Sequence, residues 1–187
     1  KEFKTLREIY SFYDKNKQRF ENLASIVTEY LMKKSTKNYK AGWITKGSGD
    51  SGIDFIGRMD IGTGFGSAKV IVLGQAKCES LNSPTGGNHI ARTVAKLKRG
   101  WLGVYVTTSY FSDPVQIEIL EDKYPLLLIN GKKLAELVNE IVFDQGYKNV
   151  AEYLKKVDSE YEGLIQYRDP EEILFEWFLF KNLGDLH

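Results

Sequence analysis

At 187 residues and 42% hydrophobic content, the chain is long enough for one domain with a sizeable core and a small appendage. The formal net charge of +1 argues against a protein that coats nucleic acid, because phosphate binding ordinarily leaves a basic imprint on the composition. A lone Cys78, with only His89 and His187, excludes a disulfide framework and a Cys/His zinc site, and no long apolar run or signal-peptide core marks a membrane or secreted protein.

The expectation is therefore a cytoplasmic protein with no membrane partner. The first residue is not Met, which suggests a fragment of a longer protein whose target-reading part lies upstream. Leu6, Ile9, Tyr10 and Tyr13, then Phe20, Leu23, Ala24, Val27 and Leu31, follow helical spacing and predict two helices broken near Asp14-Lys15-Asn16. Lys33, Lys34, Lys37, Lys40 and Lys46 then form a basic stretch. A Gly- and Ser-rich loop from Lys46 to Gly52 leads into an apolar strand, Ile53 to Ile56. Gly62, Gly64 and Gly66 read as a hairpin connection to a second strand, Lys69 to Lys77. Neither glycine run matches GxxxxGK[ST] or GxGxxG, so a nucleotide-binding loop is rejected.

Ile90, Val94 and Leu97 predict a helix from Asn88 to Leu97, capped by Asn88, with His89, Arg92 and Lys96 on one face. Trp101 to Thr108 is β-branched and aromatic, hence a strand. A helix with Pro114 in its first turn follows, then a short strand from Pro125 to Ile129 and a helix from Lys132 to Phe143. Strands alternating with helices imply a mixed α/β sheet. Beyond Gln145, two further helices are expected, at Val150 to Leu154 and at Glu171 to Lys181, with a Tyr-rich connection. Trp177 to Phe180 must pack on the core or form a subunit interface, because exposed it would be a costly apolar patch. The boundaries assigned are a catalytic domain at 1–145 and a helical C-terminal extension of it at 146–187.

The chemistry concentrates between Ser48 and Lys77. Side chains alternate along a strand, so Gln75 and Lys77 share one face and Ala76 takes the other; pairing the two strands brings Asp54 beside them. An Asp carboxylate, a Gln carbonyl and the backbone carbonyl of Ala76 are hard oxygen ligands suited to Mg²⁺, with positions left for water and phosphate. Lys77 can position the attacking water or hydroxide. Without its partners Asp54 reads more simply as a strand-edge carboxylate. Glu21, on the second helix, reads equally as a solvated carboxylate or as part of the site. Lys46 and Ser48 and Ser51 of the loop, and His89 and Arg92 of the later helix, are candidates for phosphate contact. Arg92 serves equally as an ion-pair partner, and His89 as a structural residue. Cys78 lacks the helpers of a thiol nucleophile.

The order Gly52-Ile53-Asp54, twenty residues, then Gln75-Ala76-Lys77, resembles the PD-(D/E)xK nuclease signature in its Mrr-like form, where Gln replaces the second acid. It is particularly similar to the catalytic domain of the MspJI-type modification-dependent restriction endonucleases. The resemblance continues through Phe20-Glu21-Asn22-Leu23, Gly103 to Ser112 and Leu127 to Leu134, and covers about residues 18 to 142. It implies a restriction-endonuclease-like fold, a central mixed β-sheet flanked by helices, with Glu21 near the metal. It implies a Mg²⁺-dependent DNA endonuclease, with Mn²⁺ able to substitute, acting on double-stranded DNA with modified cytosine as a homodimer or higher oligomer. A Holliday-junction resolvase or repair nuclease on the same fold is the nearest rival; a catalytically idle DNA-binding or assembly module is the rival from another class. No Pro precedes Asp54, and Gln75 in place of an acid implies weaker metal binding and leaves one-metal and two-metal catalysis open.

Overall fold

The computed structural model describes residues 1–36, 38–45 and 52–175. The helical spacing at the start becomes α1 (Glu2–Tyr13) and α2 (Phe20–Ser35), separated by a 3₁₀ turn at Lys17–Arg19. Next come β1 (Tyr39–Thr45), β2 (Phe55–Ile61), β3 (Ala68–Lys77), α3 (Gly87–Val94), β4 (Leu102–Thr107), α4 (Asp113–Glu121), β5 (Leu126–Ile129) and α5 (Gly131–Asp144). The described chain closes with α6 (Val150–Leu164), β6 (Ile165–Gln166) and a 3₁₀ turn at Pro170–Leu174. No helix among the described residues is long and apolar enough to cross a membrane.

The strands form one six-stranded mixed sheet in the order β5-β4-β3-β2-β1-β6. β2 and β3 are an antiparallel hairpin with Phe55 opposite Gly74, while β4 runs parallel to β3 with Gln75 opposite Tyr105 and Lys77 opposite Thr107. β3 is covered on both faces from Ile71 to Gln75, which is why Ile71 to Leu73 are a continuous apolar run rather than an alternating one. Val72, Phe55 and Val104 face the main core beneath α1, α2, α5 and α6. Ile56, Ile71 and Leu73 face the opposite side, where Trp43 and Ile173 of the last turn close over them. Tyr105 joins Ile90, Phe111 and Val115 under α3 and α4 on that same opposite side. Alternation therefore continues to the end of β3: Cys78 belongs to the α1/α2 core, and Gln75 and Lys77 have the parity of Ile71 and Leu73.

Several elements depart from the expectation. β1 escapes pattern reading because a register shift between Ala41 and Ile44 breaks its alternation, so Trp43 and Ile44 are both buried. β6 is two residues long and pairs in parallel with β1, a contact between distant segments that carries no local signal. The helix predicted from Asn88 is shorter and starts earlier: Gly86 occupies the N-cap position, Asn88 is exposed inside the first turn, and Lys96 lies beyond the last turn. The helix at Val150 runs on to Leu164 because Val157 and Tyr161 continue its buried stripe. Within 171–175, the described part of the helix expected from Glu171 to Lys181, the chain forms the 3₁₀ turn. Pro170 and a capping box between Asp169 and Glu172 set that geometry, and buried Arg58 holds it by donating from Nη1 to the Ile173 carbonyl at 2.8 Å. Trp177 to Phe180 lie outside the described residues.

Close packing makes one position in the hairpin critical. A Cβ on Gly74 would stand about 2 Å from the Phe55 ring. Gly74→Ala is therefore expected to lower the urea midpoint by the equivalent of about 3 kcal/mol, the upper end of overpacking costs, with an unchanged m-value. A midpoint within experimental error of wild type would contradict this packing.

Candidate active site

Asp54 sits one residue ahead of β2, yet its backbone is still paired on both sides: its N–H donates to the Gly74 carbonyl at 2.8 Å, and its carbonyl accepts from the Thr45 N–H at 2.9 Å. Two strands thus hold the residue that carries the carboxylate. Asp54 has the parity of Ile56, so its side chain leaves the sheet on the same face as Gln75 and Lys77. There Oδ2 accepts from the Ala76 N–H at 2.6 Å and from Gln75 Nε2 at 2.5 Å. Oδ1 has no hydrogen-bond donor among the described residues.

The backbone of β3 explains how Ala76 takes part. A strand residue's N–H and C=O lie at the same edge, so the Ala76 carbonyl shares the edge at which its N–H meets Asp54. Lys77, one residue on, points its carbonyl the other way, to the Thr108 N–H. Gly52 enters this corner with φ +61°, a conformation suited to glycine, and a Cβ there would lie 3.4 Å from Gln75 Oε1.

Electrostatics bind the set together. Asp54 as a residue is only partly covered, but its carboxylate lies deep among protein atoms. Burial pushes its pKa up to about 6, against the pull of the Ala76 N–H and the Lys77 ammonium. Glu21, in the first turn of α2, is pushed up to about 8 by burial and then by the Asp54 charge, against a hydrogen bond from Tyr161. Tyr161 Oη donates to Glu21 Oε2 at 3.1 Å. Two carboxylates that repel each other in a desolvated corner favour a compensating cation.

Among the described residues no three His, Cys, Asp or Glu side chains converge as a metal cage. The donors present are a carboxylate, an amide and a backbone carbonyl, which fits a hard cation that keeps much of its water, such as Mg²⁺. The Gln75 amide turns its nitrogen to Asp54, and a half-turn about its last torsion would put Oε1 in that place.

The structure brings Asp54, Gln75 and Ala76 into direct contact, with Lys77 and Glu21 within electrostatic reach. It does not join His89 or Arg92 to them: His89 is half-buried and Arg92 exposed on α3, and neither has a hydrogen bond or ion pair to the set among the described residues. Lys46, Ser48 and Ser51 lie outside the described residues. Glu79, two residues beyond Lys77, is absent from the expected set yet meets Thr107, the residue opposite Lys77 on β4. One of its oxygens, Oε2, accepts from Thr85 Oγ1 at 2.5 Å and from Thr107 Oγ1 at 3.2 Å, tying the loop before α3 to the end of β4. The same alternation that paired Gln75 with Lys77 pointed to it. Tyr161 had no such signal, being 140 residues from Glu21.

Comparison with known proteins gives a consistent answer. The Mrr catalytic domain of restriction endonucleases matches residues 16–138. The chain is similar to the MspJI restriction endonuclease, solved in complex with a 27-mer oligonucleotide, at 44% identity and a TM-score of 0.88, over 92% of this chain and 39% of that one. It also shares its fold with AspBHI, a DNA modification-dependent restriction endonuclease, at 24% identity and a TM-score of 0.69, over 85% of this chain and 40% of that one. The chain thus spans about two fifths of the length of either relative. No curated protein matches it.

Proposed function

The chain belongs to the Mrr-type catalytic family of restriction endonucleases, and from that premise we propose that it hydrolyses phosphodiester bonds of double-stranded DNA with Mg²⁺ held by Asp54, Gln75 and the Ala76 carbonyl. The observation that carries this reading is the convergence of the Gln75 amide and the Ala76 backbone on the Asp54 carboxylate, with the Lys77 ammonium beside it. Bound there, Mg²⁺ would supply Lewis-acid polarisation of the scissile phosphate, with Mn²⁺ able to take its place.

The chain's own residues supply orientation and charge. Lys77 makes no ion pair among the described residues, so its ammonium is available to hold the attacking water or hydroxide in line and to favour its ionised form. Gln75 orients the Asp54 carboxylate through its Nε2 hydrogen bond, and with its amide rotated it would present Oε1 to the cation instead. Glu21 would add a second carboxylate that orients the attacking water or takes up a proton. α6 reaches Glu21 through the Tyr161 hydroxyl, which supports counting the helical extension past residue 145 as part of the same domain. The likeness to MspJI, solved on an oligonucleotide, supports DNA as the substrate. Modified cytosine as the signal, its recognition by a separate domain, assembly as a homodimer or higher oligomer to cut both strands, and a cytoplasmic setting complete the proposal.

The test is a plasmid-nicking assay with methylated and unmethylated DNA across a Mg²⁺ titration. Cleavage should be absent with a chelator, rise with Mg²⁺ and be restored by Mn²⁺. Cutting that survives chelation would overturn the metal assignment. Equal cutting of both plasmids would overturn modification dependence alone.

A further inference from the structure

Residues at the start of α2 and near the end of α6 are locked together through a small set of contacts. Arg19 donates from Nε to Asp158 Oδ1 at 2.5 Å and from Nη1 to Glu162 Oε1 at 2.7 Å, and its guanidinium lies 5.0 Å over the Tyr161 ring. Asn22 donates from Nδ2 to the Val157 carbonyl at 2.7 Å. These contacts make the helix junction without help from the Tyr161 hydroxyl. That hydroxyl goes instead to Glu21 Oε2, at 3.1 Å, from a side chain only 3% exposed. Glu21 is the junction residue on which the Asp54 charge acts.

We propose that Tyr161, which lies beyond the segment matched by the family, is a positioning residue for cleavage: its hydroxyl holds the Glu21 carboxylate towards Asp54 and the metal. The inference rests on Glu21 acting in the reaction. Asp54 repels Glu21 and water attracts it, so an untethered carboxylate would rotate outwards about its flexible χ angles. A phenol is a suited tether. It has only two side-chain torsions, and here the buried ring and the Arg19 plane above it fix both. A hydrogen bond to a charged acceptor is also stronger than one between neutral groups, so its removal is felt at Glu21 more than in the packing. Holding a group in its productive orientation is worth a factor of ten or more in rate.

Tyr161→Phe removes one oxygen and keeps the ring. Compared with wild type, Tyr161→Phe should lower the single-turnover cleavage rate at saturating Mg²⁺ about tenfold, leave DNA affinity unchanged, and raise the Mg²⁺ dissociation constant, measured calorimetrically without DNA, about threefold to tenfold. Glu21→Gln should show both losses, and the double variant should show no further loss in either measurement. Wild-type rate and Mg²⁺ affinity in Tyr161→Phe, with Glu21→Gln impaired, would overturn the positioning role while leaving Glu21 in place. Equal losses from Tyr161→Phe in the wild-type and Glu21→Gln backgrounds would also overturn it, since the residue would then act through general packing. Wild-type cleavage by Glu21→Gln would remove the role of Glu21 and with it the inference.

Discussion

Lys77→Ala is expected to lower Mg²⁺-dependent cleavage about 10²- to 10³-fold, the loss found when a preorganised donor at a developing anion is removed. DNA affinity should stay within about threefold, because one cation among many phosphate contacts contributes modestly to binding. Stability should change little. The ammonium makes no ion pair among the described residues, so its removal breaks none and only takes a nearby compensating charge from Asp54. Lys77→Arg should not restore the rate, since a planar fork cannot replace a compact ammonium at a site this close to Asp54. The measurements are single-turnover plasmid cleavage and a gel-shift titration of the same preparations. Lys77→Ala cutting at the wild-type rate would remove the assignment of this face as the active site.

Glu21→Gln should have opposite effects on stability and on activity. The Glu21 carboxyl moves from its ordinary 4.5 up to about 8 in the folded protein, and Asp54 from 3.8 up to about 6. Each folded pKa is raised, so the folded state binds more protons than the unfolded chain within these windows. Stability contributed by protonation is present in full below the unfolded values. It is lost as pH rises through the folded ones. The metal-free protein should therefore lose stability from about pH 4 to about pH 8. At pH 9 in a chelator, Glu21→Gln should raise Tm by about 4–8 °C, equivalent to about 2 kcal/mol after a discount for the solvent that still reaches this group. At pH 4.5 the two proteins should melt together. Added Mg²⁺ should reverse the order at pH 9, because the cation stabilises the ionised pair that only the wild type presents. A Glu21→Gln melting temperature equal to wild type at pH 9 would show that this carboxylate is not held in a desolvated, like-charged corner.

Local periodicity separates the elements that can be read along the chain from those that depend on distant partners. The α1 and α2 stripes, the Gly-rich hairpin and the apolar core of β3 announce themselves because each follows its own period within a few residues. β1 does not, because its register shift breaks alternation in the middle of the strand. The turn at Pro170–Leu174 does not, because Arg58, more than a hundred residues away, supplies the partner that holds it. α3 begins two residues before the start that Asn88 as its cap implies, because Gly86 stands at the capping position although Asn88 is the better capping residue by type.

At the site the division is just as physical. Period-two alternation is a property of the backbone, so residue identities alone were enough to put Gln75 and Lys77 on one face and to pair them with the strand that carries Asp54. The contacts at Asp54 Oδ2, the raised pKa of Glu21, and the attachment of Glu21 to Tyr161 were beyond that reach. Desolvation and repulsion depend on which side chains share a corner, and that corner is assembled from α2, the start of β2, the end of β3 and, through Tyr161, the far end of α6. Only tertiary packing brings such segments together, since no local propensity encodes a contact across 140 residues.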